Sequence, residues 1–408
     1  MIDNISKVLE RNLCDHCLGR LYSRLLTGIT NEERGKAVRK FSAMMIDAKI
    51  IDNPKIDYSN FYGFNFRNSI KTKKPEKCWL CSNLFDKLDN FAKKAEEKTR
   101  KLEFDSFLVG SRFKEDIFKK EEKLWEITGI ELVESIKSEV NRELGKKIWE
   151  LNRKAVNFKK PDILIIADFA KNKIELKINS LFVLGYYKKL KRGIPQSKWG
   201  TPGHYKTSVQ EIIAKPFMKI TRGKSNSFHG YGREDIDAKC LDWRPFVFEV
   251  LEPIKRNFSL KKIEKQINKS KKVNVKLLKF CDRNTVRRVK TERGDKTYRV
   301  LVKLSKPVEK KELRKLKELK VSIAQRTPIR VSHRRADLVR RRRVKEIKYK
   351  QNNRKTLEIK IKGSAGLYIK ELVTGDKGRT KPSVAEKLGC EASVRELDVI
   401  KIEKPKNL

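Results

Sequence analysis

Apolar positions along the chain change period. Leu132, Val133 and Ile136, then Val140 and Leu144, fall at the i, i+3, i+4 spacing of an amphipathic helix, and residues 86 to about 155 read mostly as helices. A helix-like stretch also covers 31–45, and aromatics cluster from Tyr58 to Phe66. The run 162–168 reads as a short buried strand, and 173–179 alternates apolar with polar. Further on, strands dominate: 246–251, 273–280, 298–304, 357–361 and 399–402. Two amphipathic helices separate them, over 260–267 and 309–319, the second with Leu313, Leu316 and Leu319 on one face. This alternation predicts an α+β fold with a sheet domain in the C-terminal half.

The 408 residues suggest two or three domains, and the 38% hydrophobic share suffices for buried cores. No internal repeat of 20–50 residues is visible. The segment 188–203 is basic and broken by Gly193, Pro195, Gly200, Pro202 and Gly203, the character of a linker or domain border.

Charge narrows the function. Lys and Arg number 99 against 52 Asp and Glu, a net charge of +47. Such a body repels itself unless a polyanion neutralises it, which points to nucleic acid. A membrane fits poorly. The longest apolar run, near 163–167, is far shorter than the ~20 residues of a spanning helix. Residues 1–13 mix acids and bases without an apolar signal segment, so a cytoplasmic protein is expected. Two cation clusters are candidates for phosphate: Lys188, Lys189, Lys191 and Arg192, and then Arg334, Arg335, Arg340, Arg341, Arg342, Arg343 and Lys345. Tyr186-Tyr187-Lys188 suits stacking on single-stranded RNA and equally an ordinary strand edge.

Four of the seven cysteines form two Cys-x-x-Cys pairs, Cys14/Cys17 and Cys78/Cys81. Two such knuckles supply four thiolates, the donor set of a closed tetrahedral zinc site. The 60 intervening residues exceed a simple zinc ribbon, so the insert must fold by itself. His16 lies inside the first pair, but with four sulfurs available it is expected at the surface. The site reads as structural: four sulfur ligands leave no open position, and Cys78 follows Lys77 rather than the proline of a zinc deaminase. Cys240, Cys281 and Cys390 are scattered and read as small buried residues.

The most informative stretch is Phe228-His229-Gly230-Tyr231-Gly232-Arg233-Glu234-Asp235-Ile236-Asp237-Ala238-Lys239, followed by Arg244-Pro245-Phe246. From chemistry alone it is a candidate acidic site on a loop before a strand, with an N-cap or surface salt bridge as the plainer reading. The Arg-x-Asp within Gly-Arg-Glu-Asp resembles the catalytic loop of the pseudouridine synthases. The longer run is similar to the archaeal/eukaryotic family that modifies uridines 54 and 55 of tRNA. Lys296-Thr297-Tyr298-Arg299-Val300, the run from Gly366 to Asp376, and Gly378-Arg379-Thr380-Lys381-Pro382-Ser383 match that family too. The stretch from Ser180 to Leu190, with Arg192-Gly193-Ile194-Pro195-Gln196, resembles the end of its THUMP RNA-binding domain.

The resemblance implies three regions: a zinc-binding module over 1–85, a THUMP-like domain over 86–190 and a pseudouridine synthase domain over 191–408. It implies Asp235 as nucleophile, with Asp237 the rival because the two would point the same way on an extended strand. It implies Tyr298 as the aromatic platform for a flipped uracil, and Tyr368 as lining the same pocket. Lys370, two residues on, would share a strand face with Tyr368 and pair with Asp235, since a nearby cation favours the charged carboxylate. Leu372 would be an apolar wall. The expected partner is tRNA, with structural zinc, no organic cofactor and no obligate protein partner. A non-catalytic tRNA or ribosome-assembly binding protein is the alternative; a THUMP-bearing methyltransferase lacks its glycine-rich cofactor loop here.

Overall fold

The computed structural model describes residues 2–198 and 205–404, so the 199–203 part of the expected border segment lies outside the described residues. The chain forms two compact units, Met1–Asn179 and Ser180–Leu408.

In the first unit a four-stranded sheet is built from β1 (Ser106–Arg112), β2 (Ala155–Val156), β3 (Ile163–Asp168) and β4 (Lys173–Ile178), in the order β2-β1-β3-β4. β1 runs parallel to β2 and β3, whereas β3 and β4 form an antiparallel pair. The helix Ile136–Asn152 buries Ile136, Val140, Leu144 and Ile148 on one stripe, as the periodicity predicts, but Leu132 and Val133 lie before its start. β1 replaces part of the expected helical region; Phe107 and Val109 alternate inward there, a period too short to stand out between two helices. The helix Asn31–Asp47 begins at a capping box, Thr30 with Glu33. One hydrophobic core runs from Ile5 through Cys17, Phe61 and Leu80 to Leu144 and Ile165, so the expected border at residue 85 falls inside a continuous core.

The second unit is a ten-stranded mixed sheet. Its strands are β5 (Leu181–Lys189), β6 (Ser225–Gly230), β7 (Lys239–Leu251), β8 (Val273–Cys281), β9 (Lys296–Leu304), β10 (Ser322–Arg326), β11 (Val339–Asn353), β12 (Thr356–Gly363), β13 (Thr380–Lys381) and β14 (Ala392–Ile402). The order is β13-β10-β11-β12-β9-β14-β7-β5-β8, with β6 on β7. Neighbours are antiparallel except β14 and β7. The segment 180–190, expected to end the THUMP-like domain, is here β5, an inner strand of this sheet.

Helices Val209–Thr221 and Leu260–Asn268 cover one face, burying Ile213, Phe217, Ile263 and Ile267 against Val183, Tyr187 and Phe248. Helix Arg283–Thr291 lays Val286 and Val289 with Leu184 and Val247 in a separate cluster. Residues Leu313, Leu316 and Leu319 are buried as expected, on a 3₁₀ helix over Glu312–Leu319, whose three-residue turn suits a strict i, i+3 stripe. β11 was not expected. Its 15 residues carry cations on both faces and only Val344 is fully buried, so no apolar alternation marks it.

Candidate active site

The Gly-Arg-Glu-Asp run lies on the loop joining β6 to β7, beside the strand as expected. Glycine is needed at two points. A Cβ at Gly230 would stand 2.8 Å from the Gln196 amide nitrogen, and Gly232 has φ +73°. Asp235 and Asp237 do not lie on an extended strand. The Ala238 N–H donates to the Asp235 carbonyl at 3.1 Å, which closes a turn and ends the alternation on which their rivalry rested.

Neighbouring carboxylates on this loop have opposite fates. Glu234 points inward: its side chain is fully buried, 3.2 Å from Arg244 Nε and 3.9 Å from Lys189 Nζ. The Tyr187 hydroxyl donates to Glu234 at 2.8 Å and accepts from the Gln196 amide at 2.7 Å. Arg244 Nη1 donates to the Tyr231 carbonyl, and Lys189 Nζ donates to the carbonyls of Ile194, Asp235 and Ile236 at 2.9–3.0 Å. Lys189 therefore does not face phosphate; it holds the loop from beneath, and burial lowers its pKa. Arg192 is likewise taken up by the carbonyls of Asp237 and Leu397 and by Glu396 and Asp398.

Asp235 points outward, its side chain 29% exposed. Arg330 Nη1 donates to its Oδ1 at 3.1 Å, while Arg330 Nε donates to Glu371 at 2.7 Å. Burial pulls the Arg330 pKa down, but the Glu371 and Asp235 carboxylates outweigh it and raise it overall. Lys370 reaches the same place differently from the expectation. Residues 369–374 form a short helix, since Ile369, Leu372 and Val373 repeat at i, i+3, i+4 and are buried. Lys370 Nζ makes its hydrogen bonds to Asp237, at 2.6 and 2.8 Å, and stands 3.8 Å from Asp235.

Tyr298 sits on β9 between Ile361 of β12 and Val399 of β14, half-buried, and burial raises its pKa to about 12. The Asp235 charge contributes to that rise, so the two groups share one electrostatic environment. Two residues along β9, Lys296 lies 5.4 Å from the Tyr231 ring, its pKa lowered to about 8 by burial and then by Arg244. Tyr368 caps the helix 369–374. Gln325 clamps its backbone, and its hydroxyl accepts from Arg335 at 2.6 Å. Leu372 is fully buried in the core beneath and does not wall a pocket.

Arg330 and Glu371 were missed by the sequence reading. Glu371 stood inside a matching motif, but Arg330 lies on a short 3₁₀ turn, 95 residues from its partner, with no local pattern to mark it.

The four thiols of the first unit do converge. The sulfurs of Cys14, Cys17, Cys78 and Cys81 all lie within 4.8 Å of one another, and three of the four residues are buried. The Cys14 N–H donates to Cys78 Sγ at 3.3 Å and Arg20 to Cys17 Sγ at 3.0 Å, bonds suited to sulfurs carrying negative charge. The donor set fits a metal ion. His16 is neither ligand nor free surface: it stacks on Phe85 at 3.9 Å and meets Glu139 at 2.9 Å. Cys240 is buried as expected, but Cys281 and Cys390 are only half-buried.

The second unit thus presents, on a mixed sheet, a partly exposed carboxylate held by an arginine and a half-buried strand tyrosine whose pKa that carboxylate helps to raise. Two family models match the chain: "Pus10, C-terminal" over residues 182–403, and "Pus10 THUMP domain, archaeal" over 91–168. A curated relative from Pyrococcus furiosus named tRNA pseudouridine synthase Pus10 is 41% identical over 406 residues, covering 98% of both chains. The relative of the same name from Methanopyrus kandleri is 40% identical, again over 98% of both. A solved Cbf5-Nop10-Gar1 complex matches 53% of this chain and 48% of that one at 18% identity, with a TM-score of 0.33, too distant an overlay to argue from. The chain belongs to the Pus10 family.

Proposed function

We propose that this enzyme isomerises uridine to pseudouridine at position 54, position 55 or both in the T-loop of tRNA, with Asp235 as nucleophile. The observation that carries the reading is the placement of Asp235: an outward carboxylate, fixed by Arg330 at 3.1 Å, on a loop anchored from below by a buried charge network. The target uridine leaves its stack, a cost of a few kcal/mol that is least in a loop. Tyr298 supplies the ring on which the uracil lies, while Asp235 assists scission of the N1–C1′ bond. The base turns, C5 bonds to C1′, the C5 proton is lost and N1 gains one. The exchange balances without oxidant, reductant or energy source.

Arg330 acts through Asp235, keeping its Oδ1 in one place, and Glu371 fixes Arg330 in turn. Lys370, bridging Asp237 and Asp235, balances the two carboxylates at the mouth of the loop. Tyr368 and Arg335 border the substrate path from the other side. Cys14, Cys17, Cys78 and Cys81 hold zinc, which cross-links the first unit and supplies no chemistry to the reaction. The functional division follows the two compact units: Met1–Asn179, with the cysteine cluster and the THUMP-like region, grips tRNA, and Ser180–Leu408 carries the isomerase site. Among the described residues no helix is long and apolar enough to cross a membrane; the cytoplasm is the compartment proposed for the enzyme.

The test is incubation of the purified chain with one unmodified tRNA transcript and no added cofactor, followed by mapping of modified positions. Pseudouridine at 54, 55 or both is expected. Binding without product would leave only an RNA-binding protein.

A further inference from the structure

The cation cluster at 188–192 is divided by the fold. Lys189 and Arg192 are consumed by loop carbonyls and acids, whereas Lys188 points to the opposite face of β5. There its ammonium lies 4.8 Å from the centre of the Trp243 ring. A second ammonium, from Lys276 on the adjacent strand β8, lies 4.6 Å from the same ring. The register explains the meeting: Tyr186 stands opposite Lys276 and Lys188 opposite Asn274. Tyr186 shares this face and carries Lys404 at 5.3 Å from its ring centre, while Tyr187 turns away into the core. Lys276 and Lys404 are exposed; Tyr186, Lys188 and Trp243 are half-buried. Among the described residues no carboxylate forms an ion pair with Lys188, Lys276 or Lys404.

Two ammonium groups drawn to one indole repel each other. The attraction of each ammonium to the ring offsets only part of that repulsion. A bound anion relieves the repulsion, and half-exposed aromatic faces beside unpaired lysines are what a backbone-tracking RNA platform requires. We infer that the Trp243, Lys188 and Lys276 platform, extended by Tyr186 and Lys404, binds a ribose-phosphate strand of the tRNA, with phosphates on the ammonium groups and a base or ribose against the indole. The inference rests on the proposed RNA substrate and adds a contact surface separate from the residues that touch Asp235.

The experiment compares the full chain with Lys188→Gln/Lys276→Gln, measuring tRNA affinity across a salt series and turnover at saturating tRNA. Two lost phosphate contacts make the log–log salt slope shallower by about 1.4–1.8, with kcat unchanged. Trp243→Leu keeps both lysines, so it weakens affinity at every salt while preserving the slope. Equal affinity and parallel salt lines for parent and double variant would overturn the inference. So would polyglutamate binding the parent as tightly as tRNA and losing that affinity in the double variant, because the surface would then be a dock for acidic protein. If Trp243→Leu fails to fold, the lysine pair alone decides. A parent that makes no pseudouridine yet loses salt slope in the double variant refutes the isomerase reading and keeps this surface; an active parent with an unchanged slope does the reverse.

Discussion

The sulfur cluster and the carboxylate loop solve opposite problems. The cluster gathers four identical donors, three of them buried, enough to fill every position of a tetrahedral metal site. The loop splits two adjacent carboxylates, sending Glu234 into a buried charge network and Asp235 out toward solvent and Arg330. One arrangement is closed and symmetric, suited to holding a fold together. The other is open and one-sided, suited to presenting a single charged group. The difference teaches where each kind of damage should be felt: stability in the first unit, chemistry in the second.

The largest effect should come from breaking the closed site. Cys14→Ser or Cys81→Ser, or stripping metal with a strong chelator, should cost on the order of 5 kcal/mol, about 10–20 °C in melting temperature. Calorimetry with metal analysis reads this; a chain that carries no metal and melts unchanged on chelation has no structural metal there.

Next comes the anchor of the open site. Glu234→Gln leaves Arg244 and Lys189 buried without their carboxylate, and denaturant unfolding should register a loss of about 3–5 kcal/mol. A neutral result would mean the loop does not depend on the network. Arg330→Ala removes the group that fixes Asp235 and should lower kcat roughly hundredfold with tRNA affinity kept. Equal loss in KM and none in kcat would make Arg330 a binding residue instead. Lys370→Ala should be smaller, about tenfold in kcat, because at 3.8 Å it only assists; a pure affinity defect would remove it from the chemistry.

How much of this could be read beforehand depended on whether the pattern was local. The cysteine pairs were legible because Cys-x-x-Cys is a local knuckle and metal chemistry then asks for two of them. Most strands of the second unit were legible as apolar runs, yet β7 begins at Lys239 rather than 246 because Asp242 and Arg244 break the run. Arg244 is charged and fully buried, ion-paired with Glu234 and hydrogen-bonded to a carbonyl, and no propensity argument anticipates that. Asp235 was legible only through a motif. Its partner Arg330 comes from another part of the chain, so only folding brings the pair together. Lys189 shows the converse failure: it looked like part of a phosphate-binding run and is instead a buried support, because strand alternation places neighbours on opposite faces.

The central claim is best tested by Asp235→Asn, which keeps the shape of the side chain and removes its charge. With one tRNA transcript under single-turnover conditions, the account predicts binding equal to the parent and no pseudouridine at any position, while Asp237→Asn still forms product. Normal turnover by Asp235→Asn, or abolition by Asp237→Asn alone, would contradict it.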